Sequence, residues 1–176
     1  MNKLEQTLIE IIQEQQLKLG YMEETIRLYF PITSIEYLLD LDGEPDKNLI
    51  NETLTKERKS IEGNFGPIRF KSETNRYALI IPPKGSTYVY ESIPKNVFLE
   101  GLIQLFNSHE VDIEKVKSLF NQFDPNYICE KSDDPEFNYI ISFKNKDIDR
   151  YFYLLKLEEG HSSYHRYNEH DMQGIL

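Results

Sequence analysis

The sequence predicts an α+β fold in which antiparallel meanders pack against helices. Two kinds of pattern carry that expectation. Apolar residues recur with helical spacing over 2–19, 95–107 and 112–123, and strand-like runs cluster over 67–91 and 126–167 with turn residues between them. Size supports a real core: a chain of 176 residues with 39% apolar content and 12 Tyr and 10 Phe spread along it is too rich in core formers to be disordered. One domain over 1–176 is the expected organisation.

The first element is an amphipathic helix at 2–19. Leu4, Leu8, Ile11, Ile12 and Leu19 form its apolar stripe; Asn2 and Glu5 have the spacing of a capping box, and Gly20 offers the left-handed stop. Ile26 to Phe30 has the β-branched and aromatic content of a strand, ended by Pro31. Thr33 or Ser34 then caps a short helix through Leu39, and Pro45-Asp46 opens another through Lys59 with Leu49, Ile50 and Leu54 on its apolar side.

Three strands are expected next, at 67–72, 76–82 and 86–91. In the first, Ile68 and Phe70 alternate with Arg69 and Lys71, the pattern of a sheet with one wet face. The second is apolar on both faces and so should be central. Helices at 95–107 and 112–123 follow, the latter starting at an Asp112 cap, then strands at 126–131, 137–143, 151–158 and 163–167, with a capped helical turn after Asn168. Phe65-Gly66-Pro67 and Phe123-Asp124-Pro125 each join a helix to a strand cluster, which suggests two αα-βββ units over 45–92 and 95–158 sharing one core; shared turn chemistry accounts for the same likeness.

Charge narrows the function classes. With 30 acidic and 20 basic residues the formal charge is −10, which repels phosphate backbones and anionic bilayers and argues against nucleic acid or membrane as the main partner. An acidic surface suits a basic protein partner, or simply solubility. The amino terminus lacks a signal-type apolar stretch, and the longest apolar runs, Tyr77 to Ile81 and Tyr151 to Leu155, are far too short to cross a bilayer. Together with a single cysteine, Cys129, this points to the cytoplasm.

Several constellations could carry chemistry. His161, His165, His170 and Asp171 fall within eleven residues and invite a metal site. Yet four residues along a strand span about 13 Å, so the two nearer histidines share an ion only if the chain bends there; surface polar residues are the competing reading. Cys129 paired with a histidine would make a nucleophile and base, but its neighbours suggest an ordinary strand in which a free cysteine packs as a small apolar residue. Asp133, Asp134 and Glu136 surround Pro135 in a turn and lack EF-hand spacing. Lys84-Gly85-Ser86-Thr87 has the residue types of a phosphate loop in the wrong order. No cofactor is implied.

The aromatics of the last meander are more suggestive. Tyr151, Tyr153, Tyr164 and Tyr167 offer stiff contact area with a hydroxyl, suited to a binding surface; coverage within the fold is the alternative. Gln16-Leu17-Lys18-Leu19-Gly20-Tyr21, then Ile26-Arg27-Leu28-Tyr29-Phe30-Pro31, and later Tyr164-His165-Arg166-Tyr167, resemble a family of uncharacterised bacterial proteins of about this length, classed as a domain of unknown function. The resemblance implies a bacterial cytoplasmic protein and transfers no reaction, cofactor or catalytic residue. Arg27 in that opening is the candidate cation for an anionic ligand, with an outward-pointing strand residue paired to Glu23 or Glu24 as the alternative. The expected function is a non-enzymatic protein-binding or regulatory module using the tyrosine-rich meander; a small metal-dependent enzyme and a small-anion pocket protein are the rivals.

Overall fold

The computed structural model describes residues 1–43, 46–108 and 110–172, the last of these by its backbone alone. It has the α+β architecture expected. The chain divides into two compact units, 1–95 and 96–176, each with its own layers.

Unit 1 runs α1 (Lys3–Leu19), β1 (Ile26–Pro31), α2 (Ile32–Leu38), α3 (Lys47–Phe65), β2 (Arg69–Ser72), β3 (Arg76–Ile81) and α4 (Pro83–Ser92). Asn2 caps α1 by accepting the Glu5 N–H at 2.7 Å, and Gly20 ends it at φ +85°, as the sequence implies. The carboxylate of Glu5 accepts from Asn64 Nδ2, so the reciprocal half of the capping box goes to α3. Pro31, not Thr33 or Ser34, stands at the N-cap of α2. Asp46 caps α3 through the Leu49 N–H; Pro45 lies outside the described residues. That helix continues to Phe65, because Ile61 and Phe65 extend the buried stripe of Ile50 and Leu54 past Lys59.

The three strands are ordered β1-β3-β2, both pairings antiparallel, with β3 central as expected. The expected strand at 86–91 is instead part of α4. Its Ser, Thr, Tyr and Val residues favour a strand, but Pro82 occupies the N-cap and Pro83 starts the helix with a preset φ, while Gly85, Ser86 and Val89 share the buried side. The described residues of 45–92 therefore form one helix, two strands and a second helix, an order different from the αα-βββ of the described residues of 95–158. Inward-facing Ile26, Phe30, Tyr77, Leu79 and Ile81 meet Leu4, Leu8, Ile12, Ile50, Leu54 and Phe65 from the helices in one apolar cluster. Each such side chain contributes about 1.5–3 kcal/mol by leaving water.

Gly85 is required by packing. A Cβ there would stand 2.5 Å from Ile81 Cγ2 and 3.0 Å from Phe65 Cδ1. Elsewhere in a helix Gly→Ala gains about 1 kcal/mol. Here Gly85→Ala should destabilise the protein by a net of about 1–2 kcal/mol, because the β-branched Ile81 methyl cannot swing aside. Thermal unfolding followed by circular dichroism checks this, and an unchanged or raised midpoint would refute it.

Unit 2 runs α5 (Val97–Asn107), α6 (Ile113–Phe123), β4 (Tyr127–Lys131), β5 (Tyr139–Phe143), β6 (Phe152–Glu158), β7 (His161–Tyr167) and a last turn, α7 (Glu169–Met172). Asn96 and Asp112 cap the two long helices through the N–H groups of Leu99 and Lys115. The strands form an antiparallel meander in chain order, β4-β5-β6-β7, with Gly160 at φ +76° in its last tight turn. Phe98, Phe120, Phe143 and Tyr153 meet edge-on or tilted at ring separations of 4.6–6.0 Å in the core between helices and sheet.

Candidate functional site

The outer face of the unit 1 sheet gathers charge that the sequence keeps apart. The register sets Arg27 opposite Ile80 and Ile80 opposite Arg69; one pleat on, Tyr29 faces Ala78 and Ala78 faces Lys71; then Pro31 faces Arg76. Alternation along each strand puts all of these on one side, away from the apolar cluster. Arg27, Arg69, Lys71 and Arg76 are exposed, and Tyr29 is 45% exposed. The central strand contributes small or apolar residues, Ala78 and Ile80, between cationic edges. Arg76 places its guanidinium 4.3 Å from the Tyr29 ring centre and its Nε donates to the Glu73 carboxylate at 2.5 Å. That hydrogen bond, with the charges of Arg76, Lys71 and Arg27, holds the Glu73 carboxyl below its usual value. Arg27, read from sequence as a cation for an anionic group, is thus one of four cations on an open sheet face.

The tyrosine surface expected on the last meander is corrected by burial. Tyr153 is fully buried and Tyr151 is 7% exposed, so neither presents contact area to a partner. Tyr153 belongs to the aromatic core because β6 is an inner strand with helices on that side. Tyr151 lies under Arg166, whose guanidinium is 3.8 Å from the ring centre. Tyr164 and Tyr167 are half-buried and sit on opposite faces of β7: Tyr164 packs on Phe106 and Tyr153, while Tyr167 stacks on His165.

Around Tyr151 and Tyr153 lies a polar cluster that sequence reading did not single out. Asp149, only 6% exposed, accepts the Tyr151 N–H at 2.9 Å on one oxygen and Asn96 Nδ2 at 3.3 Å on the other. Burial raises its carboxyl above the ordinary range, against the opposing pull of Arg166 and of hydrogen bonds from the Tyr151 N–H and Asn96. Since Asn96 also caps α5, the cluster ties the start of β6 to the first turn of that helix. With Asp149 closed from solvent, the cluster acts as a structural fastening between β6 and α5.

The histidines do not converge. His161 stands at the start of β7 opposite Glu158, beside an open cavity of about 440 Å³ lined with Phe106, Asn107, Gly160 and Ser162. His165 is exposed on the same extended strand and packs edge-on against Phe137, and His170 with Asp171 falls in α7. Among the described residues no group of three or more His, Cys, Asp or Glu is placed to hold a metal ion. Cys129 lies on β4 opposite Ile141, and burial pushes its thiol up, the opposite of activation. No described helix is long and apolar enough to cross a membrane.

The companions of Arg27 were partly visible in sequence. Arg69 and Lys71 alternate with Ile68 and Phe70 and so announce a wet strand face; what sequence could not show was that β1 pairs with β3, about fifty residues away, and so brings Arg27 and Tyr29 onto that face. Comparison with curated proteins and with solved structures finds no match. A family model does match, over residues 1–176: the bacterial domain of unknown function DUF3877, described from a gene of E. rectale. The chain belongs to that family.

Proposed function

We propose that this protein is a non-enzymatic protein-binding module of the bacterial cytoplasm, docking its partner on the outer face of the unit 1 sheet. One observation carries the reading: four exposed cations and an exposed tyrosine lie together on a single sheet face, in a chain whose formal charge is −10. Solvated residues have no need to segregate in this way, whereas a docking face gains orientation and on-rate from charge of one sign. Tyr29, 45% exposed on the β1 edge of that face and stacked with Arg76, adds stiff contact area. The free thiol of Cys129 suits a reducing compartment.

The test is capture from an extract of the native bacterial host by the full chain, beside the triple variant Arg27→Ala, Arg69→Ala, Lys71→Ala. A partner held in stoichiometric amount at low salt should be lost from the variant, whose thermal midpoint should fall by no more than about 5 °C, because exposed strand cations contribute little stability. Equal capture by both proteins would overturn this placement of the docking face.

A second reading has its own support. Unit 2 carries 15 acidic and 8 basic residues, against 15 and 12 in unit 1, so a basic protein partner would be drawn to unit 2. Capture that survives the triple variant and fades as salt rises favours this alternative.

A further inference from the structure

The docking face has a chemistry more specific than positive charge. We infer that it binds an extended acidic polypeptide segment with carboxylates at every second residue, received by Arg27, Arg69 and Lys71 beside Tyr29. The inference rests on the docking face proposed above and names its ligand.

Three features select this ligand. The first is spacing. Arg69 and Lys71 are two residues apart on β2, so they recur about 6.7 Å apart, the interval at which an extended peptide presents alternate side chains on one side. Arg27 and Arg69 flank half-buried Ile80 across two strand spacings, roughly 9.5 Å, so cations stand on both edges of the face.

The second is that a carboxylate already stands there. Glu73, in the turn between β2 and β3, places its side chain on Arg76 at 2.5 Å, and Lys71 and Arg27 act on the same group. A guanidinium of this face thus already holds an acidic side chain. Guanidinium groups favour such a partner because their paired N–H donors match a carboxylate's two oxygens.

The third is the poor fit of the other common polyanion. Single-stranded nucleic acid is held by stacking successive bases on several aromatic faces. This face offers Tyr29 on its β1 edge, opposite Ala78, with a ring that Arg76 already covers. A long phosphate chain would also run past the patch into the field of a protein of formal charge −10, whereas a short acidic segment need only meet the patch.

The experiment uses the full chain, isotopically labelled, and follows its amide resonances by NMR on addition of three probes: a nine-residue peptide alternating glutamate with threonine, the same peptide with glutamine for every glutamate, and an eight-nucleotide oligothymidylate. The glutamate peptide should shift resonances of Arg27, Tyr29, Arg69, Lys71 and Ala78, and the glutamine peptide should leave them unmoved. Arg69→Ala with Lys71→Ala should weaken glutamate-peptide binding by about two- to thirtyfold while the rest of the spectrum is kept. Tighter binding of the oligothymidylate, or equal shifts from the glutamine peptide, would overturn the acidic-segment assignment. If host-extract capture depends on the three cations yet the glutamate peptide leaves the face unmoved, the ligand assignment alone falls. If capture is also indifferent to those cations, the docking face falls with it.

Discussion

Replacing Phe98 by alanine should cost unit 2 about 3–5 kcal/mol, among the largest effects of any single truncation in the chain. Phe98 is 2% exposed, and its ring meets four others edge-on: Phe120 and Phe143 at 4.8 Å, Phe123 at 5.4 Å and Tyr153 at 5.7 Å. Truncation removes the buried area of one ring and a set of edge-to-face contacts, and leaves a cavity bounded by β5, β6 and α6. Stiff aromatics held on two strands and a helix cannot collapse into that space. The residue also sits in the first turn of α5, so its loss loosens the anchorage of the helix as well as the core. The measurement is hydrogen exchange by mass spectrometry on the full chain: amides of α5 and β6 should lose protection by about two to more than three powers of ten relative to wild type, at 1.36 kcal/mol per decade. Peptides of unit 1 serve as the internal reference, and a loss of less than one decade in α5 would show that the aromatic cluster is not what holds unit 2 together.

Local grammar made much of this fold legible in advance. Asn2, Asp46, Asn96 and Asp112 are caps in the structure, and the first and last of these were readable because a capping residue precedes a periodic apolar run. The centrality of β3 followed from apolar residues on both its faces. The failure at 86–91 is instructive: Ser86 to Glu91 has strand propensity, but Gln16 donates to the Ser86 carbonyl and Ser86 donates to the Met22 carbonyl, long-range bonds that reward a helix docked against α1. Propensity lost to tertiary packing. Long-range pairing also hid the candidate site. Arg27 could be singled out as a cation in an apolar run, while its assembly with Arg69, Lys71 and Arg76 depends on strand order, which is written in no local pattern. The same blindness turned Tyr151 and Tyr153 into candidate surface residues, since a tyrosine's sequence neighbours do not reveal whether its second face is covered.

Asp149→Ala should be the other severe substitution, at about 3–5 kcal/mol, because it leaves donors in a closed site without their acceptor and removes the negative partner of Arg166. Asp149→Asn separates shape from charge. It keeps an oxygen for the Tyr151 N–H and nearly the same volume, so its cost should be smaller and should vary with pH in a defined sense. Burial raises the folded-state carboxyl above its unfolded value of about 3.9, so the folded protein holds this proton more tightly than the unfolded chain does. The corresponding stability is fully present below the unfolded value and is lost as pH rises through the folded one. Asparagine cannot titrate and lacks this component. The stability difference, wild type minus Asp149→Asn, should therefore be largest below about pH 4 and shrink toward pH 7, as read from urea midpoints at matched ionic strength; contributions from the other carboxylates cancel in the difference. If the difference instead grows with pH, Arg166 outweighs burial and Asp149 is held as a charged ion-pair partner. The shrinking difference would identify a carboxyl whose burial costs more than its partners return, retained because it joins the start of β6 to the Asn96 cap of α5.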